Sequence, residues 1–160
     1  MNKLKNKLIL KNFKYLIIIL ILLFSINLKS EQKQDLPFDI LPTTKLVYLD
    51  IWASWCGPCK ASFPFMNKLQ QDFQSKGLQI VAYNVDNKIE DAEKFLQKVN
   101  PIFTVVYDKT NKEFLQKLKL KIMPTSYLLD ANGNIISIHE GFTNSNKEAI
   151  YNEIQSLLNK

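Results

Sequence analysis

Leu46-Val47-Tyr48-Leu49 is an unbroken apolar run, and the apolar-rich stretches Leu78 to Val85 and Ile102 to Tyr107 repeat the pattern downstream. A strand that faces water on one side alternates apolar with polar, whereas a strand covered on both faces does not, so these runs call for a sheet clad by helices on both faces. The segments between them carry helical signals. Ile89, Ala92, Phe95, Leu96 and Val99 mark one helical face, and Asn87 with Glu90 three residues on has capping-box spacing; Thr110 and Glu113 repeat it ahead of Phe114, Leu115 and Leu118. Phe63, Met66, Leu69 and Phe73 are at helical spacing and read as packing. Thr125 to Leu129 and Ile135 to Ile138 flank Asp130-Ala131-Asn132-Gly133, which is hairpin chemistry. A last helix is expected after Asn144-Ser145-Asn146, with Ile150, Ile154, Leu157 and Leu158 inward. The expected fold is α/β: a mixed central sheet with a C-terminal antiparallel hairpin and helices on both faces.

This sheet begins only near residue 45. Before it, a lysine-rich start followed by Tyr15 to Phe24, an almost wholly apolar decapeptide, matches the charged and apolar regions of an export signal. A buried core helix would keep a polar face, which this segment lacks. Leu28-Lys29-Ser30 supplies only the nearer of the two small residues a cleavage site wants, so residues 1–30 are either a cleaved signal peptide or an uncleaved anchor. Residues 13–28 span roughly 24 Å as a helix, and Lys11, Lys14 and Lys29 can snorkel to the interfaces of a thicker hydrocarbon core. No cysteine directly follows the run, so a lipoprotein anchor is not expected. Residues 31–44, with prolines at 37 and 42, read as a linker, and 45–160 as one domain. The expected location is periplasmic or otherwise extracytoplasmic, at the inner membrane.

The charge of +6 belongs to that leader. All basic residues are lysine, six of them lie in the first 30 positions, and from Glu31 onward 15 lysines balance 15 acids. Without arginine for bidentate contacts and without a basic surplus, nucleic-acid binding is not supported.

Cys56 and Cys59 are the only cysteines, placed where a strand passes into a helix in Trp52-Ala-Ser-Trp-Cys-Gly-Pro-Cys-Lys60. As a staple they would close too small a loop to restrict the unfolded chain much. As a zinc site they lack partners, since the single histidine, His139, is some eighty residues away. Reactive dithiol chemistry remains, with a copper(I)-binding module as the competing class; no methionine or histidine cluster accompanies the thiols to favour copper. Pro58 suits the first turn of a helix, which places Cys56 at its N-cap. There the unpaired N–H groups and the positive end of the helix dipole stabilise a thiolate, and Lys60 adds a cation. Cys59, one turn in, is expected to be buried and protonated.

These residues resemble the thioredoxin superfamily, and within it the exported, membrane-tethered TlpA/ResA-type thiol:disulfide oxidoreductases. Besides Trp-Cys-Gly-Pro-Cys-Lys, Met123-Pro124-Thr125 is similar to the family's cis-proline loop, Gly141 falls where the family keeps a glycine, and Ile89 to Asp108 resembles the branch's helix–strand insertion. The resemblance implies a thioredoxin-like fold over 45–160 and a redox-active Cys56–Cys59 disulfide needing no further cofactor and no metal. Cys56 would attack and Cys59 resolve, with Trp55, Gly57, Pro58 and Lys60 around them and Met123, Pro124 and Thr125 holding the client. Asp50 would be the buried acid that takes the proton of Cys59. Burial raises a carboxyl pKa, and such a base suits exchange near neutrality.

The same resemblance implies partners: exported proteins with cysteines or disulfides, apocytochromes c among them, and a membrane protein that donates electrons to what is expected to be a monomer. Gly57-Pro58 is the thioredoxin dipeptide and implies a reductant, near thioredoxin's ~−270 mV rather than the ~−120 mV of a strong oxidant; an isomerase or oxidant is the alternative. The chain departs from the pattern it resembles at three places. Residues 31–45 leave little room before the first core strand, so much of the N-terminal hairpin usual in the branch is expected to be missing; Ser62 stands where members in cytochrome maturation often carry glutamate, and Ala82 stands where cytoplasmic thioredoxins carry a lysine. Trp55 is expected to cover the disulfide and Trp52 to join the core. Pro64 is expected to kink the helix, and His139 and the run Lys117, Lys119, Lys121 to be surface.

Overall fold

The computed structural model describes residues 36–107 and 112–159. The apolar segment 13–28 and Thr110 with its capping signal lie outside them. Among the described residues no helix is long and apolar enough to cross a membrane.

The order of elements is β1 (Leu46–Trp52), α1 (Gly57–Phe73), β2 (Leu78–Asn84), α2 (Ile89–Val99), β3 (Thr104–Tyr107), α3 (Lys112–Leu118), β4 (Thr125–Asp130), β5 (Ile135–Glu140) and α4 (Asn144–Leu158). The sheet runs β3-β2-β1-β4-β5. β1, β2 and β3 are mutually parallel, β4 is antiparallel to β1, and β5 is antiparallel to β4. Every residue of β1 and β2 is buried, as unbroken apolar runs require.

Alternation along β1 sorts the core into two layers. Leu46, Tyr48 and Trp52 pack with Cys59, Phe63, Met66 and Leu69 of α1 and with Ile150 and Ile154 of α4, and Ala92 of α2 joins this layer. Val47, Leu49 and Ile51 face the other way, against Phe114 and Leu118 of α3. The stretch read as a linker enters the described residues at Leu36, and there Leu36, Phe38 and Ile40 pack on this second layer. It is further tied by the buried Gln79, whose side chain accepts from Leu41 N–H and the Thr44 hydroxyl and donates to the Asp39 carbonyl.

Element ends depart from the expectation in three places. β3 begins at Thr104 rather than Ile102, because α2 ends on Asn100 in the left-handed region (φ 43°), Pro101 has no N–H to give, and Ile102 N–H is taken by Asn67 of α1. α2 begins at Ile89 with Lys88 as N-cap and no side-chain cap, so the Asn87–Glu90 capping box is not formed. α4 starts at Asn144, earlier than expected, because Thr143 and Asn146 form the reciprocal capping box. The hairpin follows its sequence: Asp130 Oδ1 accepts from Asn132 and Asn134 N–H, and Gly133 takes the positive φ of 86° that the turn needs.

Candidate functional site

Parallel β1 and β2 and antiparallel β4 bring three loops to one end of the sheet. Trp52 pairs with Asn84 at the last position of β1 and β2, and Ile51 pairs with Thr125 at the first of β4. The loop after β1, which carries Cys56, therefore sits beside the loops holding Asp86 and Pro124.

Cys56 is the N-cap of α1 in extended backbone conformation, with Pro58 in the first turn. Its Sγ accepts the N–H of Cys59 at 3.3 Å, so the sulfur already occupies the place of an anion at a helix start. Cys56 and Cys59 form a disulfide with Cα atoms 5.3 Å apart. Cys56 is 7% exposed and Cys59 fully buried, an asymmetry that follows from cap against interior position on one helix. Lys60 is exposed, its Nζ 5.9 Å from the Phe95 ring centre. α1 runs continuously through Pro64, which lies on the solvent side with no N–H for the Lys60 carbonyl. Ser62 is buried and donates to the Cys59 carbonyl at 2.8 Å.

Asp50 lies between Tyr48 and Trp52 on β1 and so points into the layer that holds the disulfide. It is 1% exposed, and its Oδ2 has no hydrogen-bond partner among the described residues. Burial pushes its carboxyl well above the usual range, and the nearby anionic form of Asp50 adds to the burial that raises the Tyr48 phenol. Its partner across β2 is Ala82, so no cation on that strand opposes the rise.

Among the described residues the cis bond is Met123–Pro124. The loop is held by the Thr125 hydroxyl donating to the Ile122 carbonyl and by Gly141 N–H donating to the Pro124 carbonyl, both 2.8 Å. Gly141 adopts φ 76°, a conformation glycine enters without strain. Pro124 and Thr125 are buried and Met123 half-buried.

Trp52 is core, edge-on to Phe63 with centroids 4.8 Å apart. Trp55, the residue before Cys56, is 67% exposed. His139 is half-buried and its Nε2 meets Glu153 of α4 at 2.9 Å. Lys117 and Lys121 pair with Glu113 and Glu140 on the surface.

Sequence reasoning missed a second buried carboxylate. Asp86, 3% exposed, accepts from Ser54 N–H (2.9 Å), the Ser54 hydroxyl (3.0 Å) and the Asn84 amide (2.8 Å). Together with the bond from Val85 N–H to the Trp52 carbonyl, it fixes the loop leading to Cys56. The only signal was Asn84-Val85-Asp86, a polar pair ending an apolar run.

A five-stranded mixed sheet between helices, a Cys-Gly-Pro-Cys disulfide at the start of its first helix and a cis-proline at the same sheet end define a thioredoxin-like dithiol protein. A Redoxin family model matches residues 25–154, and the chain belongs to that family. It is 38% identical over 97 residues to the thiol-disulfide oxidoreductase ResA of Oceanobacillus iheyensis, covering 61% of this chain and 50% of the relative. It is 33% identical over 113 residues to ResA of Geobacillus thermodenitrificans, covering 71% and 63%. The chain thus spans about half to just under two thirds of these curated relatives. Among solved structures, a candidate thiol:disulfide interchange protein DsbE from Chlorobium tepidum aligns with a TM-score of 0.69 at 46% identity, over 72% of this chain and 82% of that one. StoA from Bacillus subtilis aligns with a TM-score of 0.60 over 74% and 85%; its 24% identity speaks for the fold alone.

Proposed function

We propose that the protein is a thiol:disulfide oxidoreductase that reduces disulfides in exported proteins. The observation that carries this is the Cys56 sulfur at the N-cap of α1, accepting the Cys59 N–H, in a disulfide with a fully buried Cys59. In the reduced protein the Cys56 thiolate attacks one sulfur of the client disulfide, a new S–S bond forms, and the other client sulfur leaves as a thiolate that takes a proton from water. Asp50 takes the proton of Cys59, whose thiolate attacks Cys56 Sγ; the Cys56–client S–S bond breaks and the second client sulfur leaves as a thiolate that takes a proton from water, while Asp50 returns its own proton to water. The client gains two electrons and two protons, and Cys56–Cys59 becomes the disulfide.

Met123, Pro124 and Thr125 serve as the shelf for an extended client segment, with the backbone of Met123 pairing as an added strand does. Residues 1–30 export the chain and residues 13–28 tether it to the inner membrane, beside a membrane protein that returns electrons to the pair. Working as a monomer, the protein acts on exported proteins with cysteines or disulfides, a class that includes apocytochromes c.

Equilibration of the pair with glutathione tests the direction of flow. A potential near thioredoxin's ~−270 mV is expected, and a value above about −180 mV would make the protein an isomerase or an oxidant.

A further inference from the structure

Between the start of α1 and the face of α2 lies a hollow of about 570 Å³ whose lining, besides Ser54, is Trp55, Lys60, Asp91, Lys94, Phe95 and Lys98. It begins at the residue before Cys56. Its apolar part is Phe95, packed beneath against Trp52 and Phe63 at 5.5 and 4.9 Å between ring centres, and the Trp55 indole, left two-thirds in water by folding. A large aromatic surface kept in solvent next to reacting atoms is ready to be covered by another molecule.

The rim is cationic. Lys94 and Lys98 are four residues apart on α2 and share a face, and Lys60 reaches over the Phe95 ring from α1. Asp91 is the one acid among the described residues of the lining. It meets Lys94 only at 4.0 Å, with side chains 53% and 75% exposed, a pair that solvent screens. Among the described residues neither Lys60 nor Lys98 has a carboxylate within ion-pair distance. From Glu31 onward the chain carries equal numbers of lysines and acids, so three lysines against one aspartate here is a local concentration and not a general basic surface.

We propose that this hollow docks an acidic client segment: aspartates or glutamates flanking the client's reactive cysteine meet Lys60, Lys94 and Lys98, and an apolar side chain among them rests on Trp55 and Phe95. This rests on the oxidoreductase reading and adds to it a substrate class. The cis-proline shelf takes the client's backbone and carries no sequence preference by charge; the lysine hollow reads side chains. Attraction of this kind acts over the ~10 Å Debye length at 0.1 M salt, so it speeds encounter with acidic clients and fades as salt rises.

The test uses the full chain, reduced and held in detergent micelles, with three peptides whose single cysteine carries thionitrobenzoate in a mixed disulfide. The peptides share a leucine and differ only in flanking acidic, serine or lysine pairs. Cys56 attacks the peptide sulfur and thionitrobenzoate leaves with the electron pair, giving a coloured readout. At about 20 mM salt the acidic peptide is expected to react on the order of tenfold faster than the lysine peptide, and the ratio to fall toward one at about 300 mM. Lys94→Glu with Lys98→Glu should bring the ratio below one. Lys98→Ala alone should lower it partway, an arm that stands even if the double variant folds poorly. Equal rates for the three peptides, or a preference that survives both variants, would overturn the docking site while leaving the redox reading intact. Release of thionitrobenzoate from none of them would overturn the redox reading and the docking site with it.

Discussion

Asp50 and Asp86 are both buried aspartates at the same end of the sheet, and their surroundings are opposite. Asp86 receives three donors from Ser54 and Asn84 and closes the loop before Cys56 onto β2. Asp50, two residues before the end of β1, has an oxygen with no partner among the described residues and a carboxyl pushed well up by burial. A buried carboxylate that is fully bonded holds structure in place. One left partly unbonded costs stability, and that cost is kept where a proton has to be taken up and released. Gln79, at the opposite end of β2, completes the pattern, since both ends of its amide are bonded and it ties down Asp39 to Thr44.

Removing each carboxylate separates the two roles. Asp86→Ala leaves the buried Asn84 amide and the half-buried Ser54 donors without their acceptor and should cost about 3 kcal/mol in denaturant unfolding. A loss under about 1 kcal/mol would break the comparison from the Asp86 side. Asp50→Asn should do the reverse and stabilise the oxidised protein by about 1–2 kcal/mol near pH 8. The sign follows from the raised native value: Asp50 binds its proton more tightly folded than unfolded. Its contribution is complete below the unfolded value of 3.8 and is lost as pH rises through the native one. The gain from Asp50→Asn should therefore vanish in acid and grow upward from there. A gain independent of pH would show that Asp50 is not the titrating group. Smaller still, Ser54→Ala removes the hydroxyl but not the N–H bond to Asp86 and should cost about 1 kcal/mol.

The sheet and its reactive end were legible because their signals are local. Apolar runs identify β1 and β2, Cys-Gly-Pro-Cys marks the start of α1, and Asp50 stands out as a charge inside an apolar strand. Asp86 was not legible, because its partner Ser54 lies 32 residues earlier and the two meet only through the parallel register of β1 and β2. Helix starts misled for a related reason. Asn87 and Glu90 have the right spacing, yet the chain enters α2 one residue later, and Thr143 caps α4 because its side chain and that of Asn146 satisfy each other.

Stopped-flow release of the second client thiol, followed from pH 5 to 9 in the wild type and in Asp50→Asn, tests the division of labour between the two aspartates most directly. The wild-type rate should bend at a pH well above the ordinary carboxyl range. In Asp50→Asn the bend should be lost and the rate should fall on the order of a hundredfold, the scale of a positioned general base. Superimposable profiles for the two proteins would contradict the assignment of Asp50 as the proton acceptor for Cys59.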